Sequence, residues 1–313
     1  MIPFVIPAEF LAAHAVGAVI RVGSLLKDAQ TGRIVAHLQE TGVLQSALQS
    51  GLSFDPTGVV TGLIGVAQNA VITHKLSALQ AMMGTMQTLQ IATLASSVIG
   101  IGVTAASTAM ILRRLDQVDK SLVGIEASVS ELPSKWREMN LRARIVTLRT
   151  TLERLAEAEV RPDAQAVMSG VEERLAYVFD ELHSGLAEVV SEPKVDAGLV
   201  RTLLASLALC GGAQIKSLLW LDMKEAAERR ARHQCGKLES LSFLMPRDLM
   251  VGRLGDDRTK ALQISQDVSE LRLRMASQPS LVRTLIARDV NGRDYVERID
   301  GEETSPYLLL ATG

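Results

Sequence analysis

Histidine and cysteine, the side chains that most often act as bases, nucleophiles or metal ligands, are few and scattered along this chain. The 313 residues include five histidines and two cysteines: His14, His37, His74, His183, His233, Cys210 and Cys235. Nucleophilic catalysis needs a serine or cysteine beside a histidine that an acid orients, and the sequence brings no such group together. No pair of cysteines or histidines lies at the spacing of a zinc site. We therefore predict no enzyme activity, no catalytic, cofactor-binding or metal-binding residues, and no small-molecule substrate.

The charge and the cysteine content exclude further classes of protein. A net charge of -2 does not provide the cationic face that nucleic-acid binding needs, so we expect no nucleic-acid partner. Two cysteines give no disulfide framework, which is typical of a reducing compartment. The apolar N-terminus has no basic start and contains two prolines and Glu9, which is atypical of a secretory signal. We therefore expect synthesis in the cytoplasm.

The most unusual element is an apolar stretch over residues 56–112, which contains one full charge, Lys75. Its last 22 residues, 91–112, contain no charged residue, Asn, Gln or Pro. About 20 apolar residues of helix cross the hydrocarbon core of a bilayer, so this segment is long enough to span a membrane. The predicted inserting centre is Val98, Ile99, Gly100, Ile101, Gly102 and Val103. Arg113 and Arg114 follow the segment and are the predicted stop at the membrane interface.

Two questions about this stretch stay open in the sequence. A helix that is apolar on every side also fits the core of a soluble protein, and residues 56–112 lack the Trp and Tyr anchors of many resident spans. The upstream run, residues 56–73, is either a second span in a hairpin or a helix packed on the first. Gln68 and Asn69 near the middle of that run would be costly in lipid unless they are paired.

Heptad spacing predicts long helices on the C-terminal side of the apolar stretch. A coiled-coil seam is predicted at Leu115, Val118, Leu122, Ile125, Val129 and Leu132, and Pro133 ends that helix. Four further helices are predicted: about 134–160, from the break at 161–163 to about 190, 195–243, and 257–275. The first two of these would bury Leu141, Ile145, Leu148, Leu152, Leu155, Val171, Leu175, Val178, Leu182 and Val189. The uncharged centre of the third, residues 202–215, is too short to span a bilayer and is predicted to be a buried helix.

Short β elements are predicted near both ends of the chain. Residues 18–22 and 33–36 are rich in β-branched residues and flank the turn residues 27–32, which indicates a hairpin, and 38–52 is predicted to be a short helix. Asn291-Gly292 between 285–290 and 293–299 is typical of a type I′ hairpin turn. We expect the two hairpins to pair into one small sheet.

The predicted fold class is therefore mainly α: an elongated helical bundle or coiled coil with a long apolar helix or hairpin, plus a small β element from hairpins near the two termini. Four segments are predicted: 1–55 with a β-hairpin, 56–112 as the membrane-active helix or hairpin, 113–277 as the long-helix bundle, and 278–313 with the C-terminal hairpin.

This plan predicts a membrane-active protein that forms pores or perturbs a bilayer and is soluble until triggered. It is similar in layout, without a shared motif, to α-helical pore-forming toxins, which carry an apolar hairpin within long helices. The similarity implies a lipid bilayer and further copies of the chain as partners, and a move from the cytoplasm to a membrane. A toxin or a defence effector in bacterial conflict would fit. Two alternatives stay open: a constitutive single-span, membrane-anchored coiled-coil scaffold or signalling subunit, and a wholly soluble helical scaffold or assembly protein.

Overall fold

A computed structural model of the chain describes residues 8–22, 24–40, 53–54, 60–61, 141–158, 160–302 and 307–311. The described part is mainly helical and includes a small antiparallel sheet of four strands. The chain divides into two compact units. The first combines Met1–Ile101 with Arg298–Gly313, and the second is Gly102–Glu297.

The described part of the first unit contains one complete helix, a four-stranded sheet and a two-stranded sheet. Its described elements are α1 (Ala8–Ala15), β1 (Val19–Val22), β2 (Leu25–Asp28), β3 (Ile34–Glu40), β4 (Ser53–Phe54), β5 (Val60–Thr61) and β6 (Tyr307–Ala311). The strand order is β1-β2-β3-β6 with every neighbouring pair antiparallel, and β4 pairs with β5 alone. A small core of Val19, Leu26, Ala36 and Leu38 packs against Phe10 and Ala13 of α1. Alternating side chains of β3 supply two of these residues because successive residues of a strand face opposite sides.

Both ends of the chain contribute to one small sheet, as predicted, but two of the predicted strand pairings are wrong. The C-terminal contribution is the single strand β6, which pairs with β3, and not a hairpin at 285–299. Residues 34–36 pair with β2 and not with residues 18–22. Residues 27 and 28 of the predicted turn at 27–32 therefore belong to a strand. The remaining turn is closed by the Asp28 carboxylate, which accepts hydrogen bonds from the backbone N–H of Thr31 at 2.7 Å and of Gln30 at 3.1 Å. Residues 38–40 belong to β3 and not to the predicted helix 38–52, whose other residues lie outside the described part.

The second unit is built from helices. They are α2 (Leu141–Ala158), α3 (Ala164–Ser191), α4 (Ala197–Trp220), α5 (Lys224–Leu244), α6 (Arg247–Arg253), α7 (Arg258–Ala287) and α8 (Gly292–Asp300), the last of which crosses the boundary between the units. Helix α4 contacts α2, α3, α5 and α7. The predicted apolar faces of α2 and α3 are confirmed, since Leu148, Leu152, Leu175 and Leu182 are all at most 1% exposed. These two amphipathic helices therefore cover α4 with the faces that their spacing predicts.

Local hydrogen bonds fix where these helices begin and end. The Asp196 carboxylate accepts from the N–H of Leu199 at 2.8 Å at the start of α4, and Asp257 does the same for Lys260 at 3.0 Å at the start of α7. Such caps satisfy backbone donors that have no partner within the helix. At the C-terminal ends of two other helices, α3 and α5, the Arg253 guanidinium donates to carbonyl oxygens of the last turn.

The predicted helix 195–243 is wrong because the chain breaks it into α4 and α5. Asp222 has a φ of 55°, the left-handed region, so a continuous helix cannot pass through it. The Asp222 carboxylate accepts a hydrogen bond from the N–H of Gly292 at 2.7 Å. The ammonium group of Lys224 donates to the carbonyl of Val290 at 2.9 Å. Contacts with a distant part of the chain therefore hold the break, and a local pattern does not show them.

The predicted C-terminal hairpin is also wrong, because Asn291-Gly292 begins a helix. The Asn291 side-chain oxygen accepts from the N–H of Arg293 at 2.9 Å and of Asp294 at 3.1 Å, which is the geometry of a helix N-cap. Helix α7 also extends past its predicted end at Met275 and includes Pro279 within its length. The same asparagine suits a turn or a cap, and here the cap forms.

Candidate functional site

Helix α4 is the one helix among the described residues that is long and apolar enough to cross a membrane. By length and composition alone, α4 could therefore cross a bilayer. However, almost every residue from Leu199 to Trp220 is buried among the surrounding helices. The prediction that 202–215 is a buried helix is therefore confirmed. The predicted extent of that helix, 195–243, is wrong, since it ends at Trp220.

Polar side chains tie α4 to three neighbouring helices. Arg201 Nε donates to Asp267 Oδ2 of α7 at 2.9 Å. Gln214 Nε2 donates to Glu172 Oε1 of α3 at 2.8 Å, and Gln214 Oε1 accepts from Gln234 Nε2 of α5 at the same distance. Buried amides and charges are costly unless they are paired, so these contacts stabilise α4 within the protein.

Close packing also holds α4 in place. A Cβ atom added at Gly211 would lie 3.0 Å from Met275 Cε of α7 and 3.0 Å from Phe179 Cε2 of α3. Gly211 is therefore a point where two neighbouring helices approach the α4 backbone closely. The absence of a side chain at this position permits that approach.

A group of polar and titratable side chains lies where α3 meets α5. We call it the α3–α5 cluster, and it consists of Asp180, His183, His233, Lys237 and Ser240. Asp180 Oδ1 lies 2.9 Å from Lys237 Nζ and 3.5 Å from His233 Nε2. His183 Nε2 lies 3.1 Å from the Lys237 carbonyl oxygen and 3.4 Å from Ser240 Oγ. One carboxylate of α3 thus faces two basic groups of α5.

Burial and charge shift the pKa values in this cluster. Burial lowers the pKa of His183, and the charge of Lys237 lowers it further, against the hydrogen bond to the Lys237 carbonyl and the charge of Asp180. Burial by itself would raise the pKa of Asp180, but the hydrogen bonds and charges of Lys237 and His233 outweigh it and leave the pKa below its usual value. Near neutral pH the carboxylate is therefore ionised.

The α3–α5 cluster does not have the geometry of a serine nucleophile site. Ser240 Oγ donates to the Lys237 carbonyl at 2.7 Å, so its proton is not directed at His183. The Asp180 carboxylate contacts Lys237 and His233, where a catalytic triad would need it to orient His183. Within the described residues there is also no group of three or more His, Cys, Asp or Glu side chains that could hold a metal ion.

Sequence spacing alone does not indicate this cluster. His183 and His233 are fifty positions apart, and they come together only because α3 and α5 pack against each other. The local signals were the three-residue spacing of Asp180 and His183 and the four-residue spacing of His233 and Lys237. Those spacings place each pair on one helix face but do not say that the two faces meet.

The site residues that the sequence predicts all lie outside the described residues. They are the inserting centre at 98–103, Arg113 and Arg114, and the seam from Leu115 to Leu132. They remain predictions. Comparison with protein-family models, with curated proteins and with solved structures finds no match to this chain. The function must therefore be inferred from the residues of this chain.

Proposed function

We propose that this chain is a membrane-active α-helical protein that forms pores in a lipid bilayer or perturbs it, and that it is soluble until triggered. The observation that carries the proposal is the segment 91–112, whose 22 residues contain no charge, Asn, Gln or Pro and end at Arg113-Arg114. A segment of that length covers the hydrocarbon core of a bilayer, and two arginines suit the headgroup region beyond it.

The contrast with α4 supports this assignment. Helix α4 carries Arg201, Gln214 and Lys216 within its length, and the first two bind side chains of neighbouring helices. Such residues oppose transfer into lipid and favour a place in the protein core. Residues 91–112 have no comparable side chain, so their transfer into a bilayer would not require breaking ion pairs or amide hydrogen bonds.

In this proposal each predicted segment has its own role. The centre from Val98 to Val103 would insert, and Arg113 and Arg114 would stop the insertion at the surface. The seam from Leu115 to Leu132 would join copies of the chain through an elongated coiled coil and so concentrate several inserting segments. The protein would be made in the cytoplasm and then bind a membrane. A bacterial toxin or defence effector fits that sequence of events.

The test is flotation of the purified chain with liposomes and release of a trapped dye, across pH and lipid composition. The variant Val103→Arg places a charge at the predicted inserting centre, which costs about 3 kcal/mol on insertion scales and should reduce dye release about a hundredfold. The matched control is Val160→Arg, because Val160 is 86% exposed in the described structure and the same change should have no effect there. Equal dye release by both variants, or no binding and no release by the unmodified chain, would contradict the proposal.

The burial of α4 favours one second candidate, a wholly soluble helical scaffold. This chain encloses one helix that is long and apolar enough for a membrane, so the same treatment of 91–112 is a physical alternative. The scaffold would stay in solution without detergent and would not float with liposomes. A constitutive single-span anchor would instead require detergent for its extraction from membranes.

A further inference from the structure

Within the α3–α5 cluster a single carboxylate of α3 faces the basic groups of α5, and a second ion pair joins Glu172 of α3 to Arg230 of α5 at 3.9 Å. Asp180 Oδ1 lies 2.9 Å from Lys237 Nζ and 3.5 Å from His233 Nε2. His183, one turn further along α3, places its Nε2 within 3.1 Å of the Lys237 carbonyl oxygen. We infer that this cluster is an acid-released clasp, in which protonation of His183 places a cation of α3 beside the Lys237 ammonium group of α5 and loosens the contact between the two helices.

The charges around His183 come from every helix that packs on α3. On α3 itself they are Asp180 and Glu181, and Arg144 of α2 lies 3.7 Å from Glu181. On α5 they are His233 and Lys237. Helix α4 contributes Cys210, whose thiol pKa is raised by burial and by Asp180, so it stays neutral. At neutral pH Asp180 and Lys237 balance each other, and protonation of His183 adds one positive charge to the cluster.

The direction of the pH dependence follows from the position of His183. Burial lowers its pKa below the ordinary value of 6.5, so the unfolded or opened helix binds the proton more tightly than the closed one. The contact is therefore fully stable above pH 6.5 and loses stability as the pH falls below that value. The pKa of Asp180 is also lowered, so the carboxylate stays ionised while His183 gains its proton.

The two histidines should contribute differently to this response. Protonated His233 adds an attraction to Asp180, and its side chain is 46% exposed, so solvent weakens any repulsion from Lys237. His183 is more enclosed, and its protonated ring would face Lys237 and His233 together. The release is therefore assigned to His183. As a property of the helices this inference does not depend on the proposed membrane activity, whereas its use as the trigger of insertion does.

Peptide-resolved hydrogen exchange of the full chain without membranes, at pH 7.5 and pH 5, tests the clasp. After correction for intrinsic exchange chemistry, peptides of α3 and α5 around the cluster should exchange about threefold faster at pH 5. The variant His183→Gln keeps a hydrogen-bond donor for the Lys237 carbonyl but cannot be protonated, so its exchange should be insensitive to pH there. His233→Gln is the matched control and should keep the acid response.

Two further variants keep the test decisive if His183→Gln does not fold. Lys237→Gln removes one cation that repels protonated His183, so it should weaken the contact at pH 7.5 and reduce the response to acid, while the part that comes from burial of the ring remains. Asp180→Asn should open the contact at both pH values. An acid response of unchanged size in His183→Gln or in Lys237→Gln would overturn the inference.

Dye release from liposomes, measured in parallel, separates the clasp from the proposed function. Release that rises at pH 5 in the unmodified chain and not in His183→Gln identifies the clasp as the trigger. Release that is equal at both pH values, with the exchange response intact, overturns the trigger but leaves membrane activity standing. An exchange response without any release at either pH supports the clasp and contradicts the proposed function.

Discussion

Helix α4 and residues 91–112 are both apolar over a length that could cross a bilayer, but they differ in the polar residues that they contain. Helix α4 includes Arg201, Gln214 and Lys216, and its neighbours provide partners for the first two. Residues 91–112 include no such side chain. Length and hydrophobicity therefore do not separate a core helix from an inserting one. Polar groups within the segment, and the partners they find, are the more informative signal.

The sharpest test of this comparison places the same charge in both segments. Leu207 of α4 is fully buried, so Leu207→Arg would bury an unpaired guanidinium in the centre of the helical unit. We expect a loss of more than about 4 kcal/mol, enough to unfold the unit, whereas Val103→Arg should leave its folding intact and abolish dye release. Circular dichroism and urea unfolding measure the first effect.

The matched control for that substitution is Leu262→Arg, because Leu262 on α7 is 41% exposed. It should change the stability by no more than about 0.5 kcal/mol. If Val103→Arg unfolds the protein as Leu207→Arg does, residues 91–112 belong to the core and the comparison between the two segments fails.

The second test concerns the end of α4, where Gly292 of α8 lies against the Leu219 backbone. A Cβ at position 292 would collide with the Leu219 carbonyl oxygen and would lie 3.1 Å from its carbon. Backbone atoms cannot rotate away, so Gly292→Ala should shift α8 and weaken the hydrogen bond from Gly292 N–H to Asp222. We expect a loss of about 2–3 kcal/mol, measured as a lower urea midpoint.

Gly236→Ala is the control for this glycine. Gly236 lies within α5, and an added Cβ there would have no atom within 4 Å, so the change should stabilise the protein by about 0.5–1 kcal/mol. A neutral Gly292→Ala would mean that α8 does not depend on its contact with the end of α4.

The sequence predicts the parts of this fold that depend on periodicity. The faces of α2 and α3, the burial of 202–215 and an N-terminal β element follow from spacing and composition, whereas the C-terminal strand Tyr307–Ala311 is not among the predicted elements. The break at Asp222 and the helix at Asn291-Gly292 do not, because each is held by contacts between residues about seventy positions apart. Asn-Gly suits a hairpin turn and a helix cap equally well by itself.

The α3–α5 cluster could not be predicted for a similar reason. Asp180 with His183, and His233 with Lys237, each form an ordinary polar pair on one helix. The two pairs form one cluster only when α3 packs on α5. The spacing of residues within either helix does not specify that contact. The segment 91–112, which we propose to be membrane-active, is the opposite case. Its 22 uncharged residues are visible in the sequence, and its place lies outside the described residues.

The smallest expected effect concerns the charge at the start of α4. Arg201 binds Asp267 at 2.9 Å, and the two side chains are 29% and 11% exposed, so the pair is partly shielded from water. Arg201→Gln should cost about 1–2 kcal/mol, because it weakens the pairing of a largely buried carboxylate. Arg161→Gln is the control, since the pair of Arg161 with Asp163 is 45% and 50% exposed and water should screen most of its contribution. Urea midpoints of the two variants decide the comparison. Equal midpoints would mean that the ion pair does not stabilise α4 in the core, and that the contrast with residues 91–112 depends on the buried amides alone.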